Sequence, residues 1–350
     1  DTPRCVRKYT KQKQYYSDAP WRVPTKKRMI RKQKHIASLF PPFKGGLGRV
    51  LGLLLLLLTA CIREDRSDCH NTIIYLDYTA DGTQSVIREY VEDIDLYIFD
   101  KSGHRLLNYS MEELPDGSVK LNLKPDEYTI IAVANAYNNT YVNESAANRR
   151  DEFYLQHPDW NQAGDVVPMH DHNYIGELKI TITHRDIRHC DTLMFRSAHV
   201  NMDIQIEGLT APASAAATRA DIPYTLRIEQ SNARINFYNQ LTAIGQETIQ
   251  PQLVYNAETQ CYQLTDLALL SLTQNGVLTP ESCPHQVVLL DTDGTELTRF
   301  SLYDYLQENA DKIDVTKQEV TIPLAIKFST LGVEIVLPGW NIEDVTPDWG

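Results

Sequence analysis

Alternation constrains this chain more than any other feature. Val200, Met202, Ile204 and Ile206 alternate with Asn201, Asp203, Gln205 and Glu207, the period of a strand with one face in a core and the other toward water. Ile94, Leu96 and Ile98 alternate with Asp95, Tyr97 and Phe99. Further short apolar runs stand at 72–78, 119–123, 128–134, 178–183, 224–228, 234–238, 252–255, 286–290, 319–323 and 333–337. Turn formers separate them, as in Asp100-Lys101-Ser102-Gly103, Pro115-Asp116-Gly117 and Asp291-Thr292-Asp293-Gly294. Helical periodicity is scarce, and 302–313 is its best stretch. Short strands with regular turns bury one face each by packing sheet on sheet, which predicts an all-β chain of sandwiches.

A weak internal repeat points the same way. The segment 96–106, Leu-Tyr-Ile-Phe-Asp-Lys-Ser-Gly-His-Arg-Leu, lines up with 287–297, Val-Val-Leu-Leu-Asp-Thr-Asp-Gly-Thr-Glu-Leu. Each is an apolar strand, an Asp-x-x-Gly turn and a second strand. The repeat agrees with two copies of one fold, with a boundary near 196–198, just before the alternating strand.

A different segment decides where the folded part is delivered. Residues 53–58 are six consecutive leucines, followed by Thr59, Ala60 and Cys61. As a helix, 50–60 is about half of the ~20 residues that span a bilayer. It reads instead as the apolar region of a signal peptide, with Arg31, Lys32, Lys34, Lys44 and Arg49 as its positive region. Leu58-Thr59-Ala60-Cys61 resembles the bacterial lipobox, which implies cleavage before Cys61 and a lipid on its thiol. A conventional signal peptide begins at Met29, and 1–28 reads as an upstream extension outside the mature protein. Directly behind the cysteine, Arg63-Glu64-Asp65 resembles the surface-export signal of Bacteroidales lipoproteins. A solvated tether is the plainer reading of those charges.

The first 60 residues hold 14 of the 34 Lys and Arg but only two of the 46 Asp and Glu. The remainder therefore carries 20 basic and 44 acidic residues, a formal net charge of −24. Such a chain is repelled by nucleic acid and by anionic membrane surfaces, so its expected partners exclude nucleic acid and its membrane contact is a tether.

Cys69, Cys190, Cys261 and Cys283 remain after the signal peptide and are candidate disulfide partners, with three pairings open. Domain logic favours Cys69–Cys190 and Cys261–Cys283, against free buried thiols. His170-Asp171-His172 is the most metal-like cluster, but no further ligand stands at a diagnostic spacing, and its flanks read as a solvated loop. No phosphate loop, nucleophile elbow or Cys-x-x-Cys is present, so neither a metal nor another cofactor nor an enzymatic activity is expected. The 19 tyrosines suit strands, where their rings pack well. Stacking on glycans is the alternative use.

Taken in order, these blocks resemble the FimB-like fimbrial anchor lipoproteins of Bacteroidales. They are Cys61-Ile62-Arg63-Glu64-Asp65 with Cys69 eight residues on, and Asp95-Leu96-Tyr97-Ile98-Phe99-Asp100 followed by Gly103. Then come Leu123-Lys124-Pro125-Asp126-Glu127-Tyr128-Thr129 leading to Val133-Ala134-Asn135, the strand at 200–209, and Pro338-Gly339-Trp340. The family pattern usually has Pro-Gly before the tyrosine; Asp126-Glu127 stands here in place of the glycine. The resemblance implies two tandem transthyretin-like β-sandwich domains behind a lipoprotein signal peptide. It divides the chain into an extension (1–28), a signal peptide (29–60), a lipidated tether (61–70), an N-terminal sandwich (71–197) and a C-terminal sandwich (198–350). It also implies a role: a lipid-anchored subunit at the base of a fimbrium, surface-exposed on the outer membrane, which holds the filament and limits its length. The implied partner is a fimbrial shaft subunit, docked by β-strand addition on an edge or groove after Ala198. The alternative function is a surface glycan- or ligand-binding lipoprotein built on the same sandwiches.

Overall fold

The computed structural model describes residues 70–111, 117–212 and 222–338. Its first half contributes β1 (Thr72–Asp77), β2 (Ile94–Asp100), β3 (Arg105–Met111), β4 (Ser118–Leu121), β5 (Asp126–Ala134), β6 (Tyr141–Val142), β7 (Tyr154–Gln156), β8 (Val166–Val167), β9 (Tyr174–Ile182) and β10 (His189–Ser197). Its second half contributes β11 (His199–Glu207), β12 (Thr225–Ser231), β13 (Arg234–Asn236), β14 (Glu247–Ile249), β15 (Val254–Asn256), β16 (Cys261–Leu270), β17 (Thr273–Gln274) and β18 (Val277–Leu278). It closes with β19 (Gln286–Leu290), β20 (Glu296–Ser301), β21 (Thr321–Ser329) and β22 (Gly332–Val336). Two short helices, α1 (Ile87–Tyr90) and α2 (Leu302–Glu308), complete an all-β architecture.

The first sheet has the order β3-β2-β5-β9-β10-β1-β4. β10 changes partners along its length. Residues 189–194 run parallel to β1, and residues 195–197 run antiparallel to β9. The sheet therefore folds onto itself, and Ile74, Leu76, Val119 and Leu121 of β1 and β4 meet Ile94, Leu96, Ile98, Ile130 and Ala132 of β2 and β5 in one buried cluster. At the crossing, β9 carries a glycine. A Cβ on Gly176 would collide with Leu193 Cδ2 and lie 2.9 Å from the Met194 carbonyl oxygen.

The second half is built from two facing sheets, β15-β16-β11-β21-β22 and β20-β19-β12-β14-β8. Val200, Met202, Ile204 and Ile206 point into the core between them, as their alternation predicts. They meet Leu226, Ile228, Val287, Leu289, Ile322, Leu324 and Ile326 there. In both halves the opening strand lies parallel to a late one: β1 beside β10, and β11 beside β21. The repeated hairpins are real in both halves. Asp100 Oδ1 accepts from the backbone N–H of Ser102 and His104, and Asp291 Oδ1 from those of Asp293 and Thr295. Gly103 and Gly294 follow with φ of 79° and 78°, where a β-carbon is disfavoured. Helix α2 is shorter than the 302–313 pattern suggests. Asn309 ends it by donating its Nδ2 to the Tyr305 carbonyl at 2.9 Å.

Beyond the two sandwich cores, a third cluster joins the halves. The other face of β2 and β5 carries Tyr97, Phe99, Ile131 and Val133, which bury against Phe153 and Leu155 of β7 and Ile235 and Phe237 at β13. The chain between β5 and β9 is woven into both halves: β7 pairs with β6 and with β13, and β8 runs parallel to β14.

Gly176→Ala should destabilise the fold by about 1–3 kcal/mol through overpacking against β10. Urea denaturation measures it, and a midpoint equal to wild type would mean that β10 yields freely at the crossing.

Candidate docking surface

Cys61, Arg63, Glu64, Asp65 and Cys69 lie outside the described residues, as do the signal peptide, Gly339 and Trp340. Cys190 is disulfide-bonded. Cys261 and Cys283 are free and buried, which corrects the expected bond between them. Cys261 opens the ten-residue β16, whereas Cys283 adjoins its far end, where Ser282 Oγ donates to the Leu272 carbonyl at 2.8 Å. A strand of that length covers roughly 30 Å, and a disulfide needs Cα atoms within about 7 Å. Burial pushes the Cys283 thiol up to about 12.

His170-Asp171-His172 is a loop but not a solvated one. His170 and Glu247 meet at 2.7 Å with both side chains fully buried, which ties this loop to β14. Asp171 Oδ2 accepts four consecutive backbone N–H groups, those of Tyr137, Asn138, Asn139 and Thr140, and so fixes the loop leaving β5. His172 Nε2 lies 3.0 Å from Asp266 Oδ1. Among the described residues no group of three or more His, Cys, Asp or Glu is placed to hold a metal ion. The stretch before β21 adds a further tie. Tyr78 and Tyr174 both donate to Glu319 Oε1, Gln318 Oε1 accepts from Ser197 N at 2.9 Å, and Gln318 N donates to Asp81. Burial raises the Glu319 carboxyl above its usual range, with the two phenols opposing it.

With the halves fixed to each other, the remaining chemistry lies at the sheet edges, where strands leave N–H and C=O groups free. β20 is guarded by charge, since Arg299 pairs with Glu229 at 2.8 Å and with Glu296 at 2.9 Å. β8 and β15 are two and three residues long. β22 differs from these. It spans five residues, has no strand on its outer side among the described residues, and follows Leu331, which is 98% exposed. Val333 on it is 41% exposed. In the first half, β3 is the comparable edge. Leu107 and Tyr109 lie opposite Ile98 and Leu96, on the core side of the sheet, yet each is 44% exposed. The core is therefore open along β3, and apolar residues are displayed on both halves, not only after Ala198. In the sequence β3 shows only as the second arm of a hairpin, because its Leu-Leu-Asn-Tyr run does not alternate cleanly. Among the described residues no helix is long and apolar enough to cross a membrane.

Residues 66–346 match the family model described as fimbrillin-A associated anchor proteins Mfa1 and Mfa2. Among curated proteins, none matches the chain by sequence. Solved structures share its fold at low identity. A candidate adhesin from Bacteroides ovatus is 14% identical with a TM-score of 0.60, covering 79% of this chain and 96% of its own. A candidate polysaccharide-binding protein from Bacteroides thetaiotaomicron is 16% identical with a TM-score of 0.58, covering 78% and 96%. The fimbrial anchor protein Mfa2 from Porphyromonas gingivalis is 12% identical with a TM-score of 0.55, covering 77% and 98%.

Burial predicts inert thiols at 261 and 283, because a reagent in solution cannot reach a buried sulfur. A disulfide-exchange reagent at pH 8 should label neither in the folded protein and both after unfolding without reductant. Rapid labelling of either in the native state would place it at the surface.

Proposed function

We propose a docking mechanism from one premise: this chain belongs to the family of fimbrillin-A associated anchor proteins, whose model covers residues 66–346. It is a fimbrial anchor protein of the cell envelope, a structural component of a fimbrium. It acts without catalysis. A lipid on Cys61 holds it in the outer membrane, and Arg63, Glu64 and Asp65 direct it to the outer face. Residues 71–197 form the membrane-proximal domain and residues 198–350 the domain that receives the filament. A shaft subunit docks by adding a strand, with main-chain hydrogen bonds giving affinity and alternating side chains giving register. The β22 edge carries this reading. It is the longest apolar edge of the second half that no charge pair guards, and Leu331 and Val333 stand exposed beside it. Occupation of that edge by the first subunit ends the filament at the cell and limits its length.

The anchor and the edge are tested separately. Cys61→Ser should release the protein from membranes, since stable attachment rests on the acyl chains; membrane fractionation reads this, and undiminished retention excludes lipid anchoring. Replacing Arg63, Glu64 and Asp65 by Ala should keep lipidation and lower protease accessibility on whole cells, and unchanged display would make those charges a tether only.

Loss of the whole protein should leave subunit synthesis intact while fimbriae are shed, and abnormally long. A Leu331→Lys, Val333→Lys double variant should fold and stay membrane-bound yet shed fimbriae, because charge blocks edge pairing. Electron microscopy and immunoblots of cells and medium give the result. Normal cell-bound fimbriae in that variant, with shedding instead from Leu107→Lys, Tyr109→Lys, would move the docking edge to β3.

A further inference from the structure

A cleft of about 740 Å³ opens where the two halves meet, on the sheet face opposite the first core. Its floor is made by alternate residues of β9 and β10: Ile175, Glu177 and Lys179 from one, Met194 and Arg196 from the other. Leu193 and Phe195 face the other way, into the first core. One wall is a pair of turns from the second half. Tyr238 and Asn239 follow β13, and Asn275 and Gly276 join β17 to β18. These turns brace each other, because Gln240 Nε2 donates to Asn275 Oδ1 at 3.2 Å and Leu241 N to Gln274 Oε1 at 3.0 Å. Asn239 and Asn275 both take positive φ, 55° each, a conformation asparagine tolerates better than most residues. The opposite wall is the stretch with Thr316, Lys317 and Gln318 that precedes β21.

The charge of this cleft runs against the rest of the molecule. Lys179, Arg196 and Lys317 face a single carboxylate, Glu177. That carboxylate is already held by Arg150 at 2.7 Å and by Lys179 at 3.3 Å. His199 at the cleft's base is buried, which pushes it down to about 3 and leaves it neutral. Arg196 and Lys317 are exposed and form no ion pair among the described residues. In a chain whose residues 61–350 carry a net charge of −24, two exposed cations in a braced cavity of ligand size favour an anion, although the Lys317 charge is shared with Asp314. Asn239 Nδ2 is held by the Ser197 carbonyl and Asn275 Oδ1 by Gln240, but the Asn275 Nδ2, the hydroxyl of Thr273 and the free edge of the Tyr238 ring, one face of which Arg150 covers, suit a hydroxyl-rich chain better than apolar side chains.

We propose that this cleft binds a carboxylate-bearing oligosaccharide of the uronic-acid type, with Arg196 and Lys317 on its carboxylates and the Asn239 and Asn275 turns on its hydroxyls. The site is independent of the filament-docking edge, and each stands if the other fails. It gives the anchor a second attachment, to an acidic polysaccharide outside the cell.

Calorimetric titration of the full-length protein in detergent with tetragalacturonate tests it, with maltotetraose as the neutral control and tetraglutamate as the acidic peptide control. Saturable binding to tetragalacturonate alone is expected. Arg196→Glu and Lys317→Glu should each weaken it about tenfold or more, the scale of a lost charge-assisted hydrogen bond, and Arg196→Gln should weaken it less. Arg227→Glu, which alters a cation outside the cleft, should leave it unchanged; the thermal melting of each variant confirms folding. No saturable binding, or equal binding by Arg196→Glu and wild type, overturns the proposal. Equal binding of tetraglutamate also overturns it and assigns the cleft to acidic peptides.

Discussion

The fold depends on an aromatic wedge between its halves. Phe153 stacks on Phe237 with ring centroids 4.8 Å apart, and Tyr97 and Phe99 pack around both at 5.0 to 6.3 Å. These rings come from β2, from the segment between β5 and β9, and from the second half, so neither half completes this core alone. Burying rings of this size is worth about 3–5 kcal/mol each by truncation. The wedge lies on the reverse face of β2 and β5, and a sheet buried on both faces resists bending. The polar ties then have defined partners. His170 and Glu247 are fully buried against each other, so losing either partner is costly in this low-dielectric setting.

The strands and the hairpin turns were legible because local chemistry determines them. Val200 through Glu207 alternate without exception, and the Asp-x-x-Gly turns need only Asp100, Gly103, Asp291 and Gly294. The joining of the halves was not legible. Residues 96–99 and 130–134 are apolar at both parities, which is the mark of a strand buried on two sides, but the second partner is supplied by β7 and β13, three residues each. Strands that short carry no period. Asp171 looked like one member of a metal-like triplet because nothing in sequence reveals that four N–H groups converge on it. The expected Cys261–Cys283 bond failed for a related reason, since separation along the chain does not report that these two cysteines adjoin opposite ends of one long strand.

Edges and cleft divide the exposed chemistry of the molecule between apolar and charged features. β22 and β3 offer main chain with apolar neighbours, while the junction cleft offers cations and amides. The two kinds of surface lie on different elements, and a contact at one leaves the other free. β20 shows what a closed edge looks like in the same protein. Arg299 pairs with Glu296 on the same strand and, across β19, with Glu229 of β12, so this edge carries charge where β22 carries apolar side chains.

The parallel pairing of β1 with β10 decides how a force applied to the two ends of the first half would be borne. Six consecutive residues of β1 are matched to β10. A pull on the chain before β1 would enter at the start of β1, and an opposing pull on the second half would enter at the end of β10, through the chain that continues into β11. In a parallel pair those two points are at opposite ends, so the load runs along the strands. All the rungs between them share it at once, and none is peeled first. An antiparallel pair loaded through the same two strand termini would open like a zipper, one hydrogen bond at a time. The first sandwich is thus arranged as a lap joint in shear.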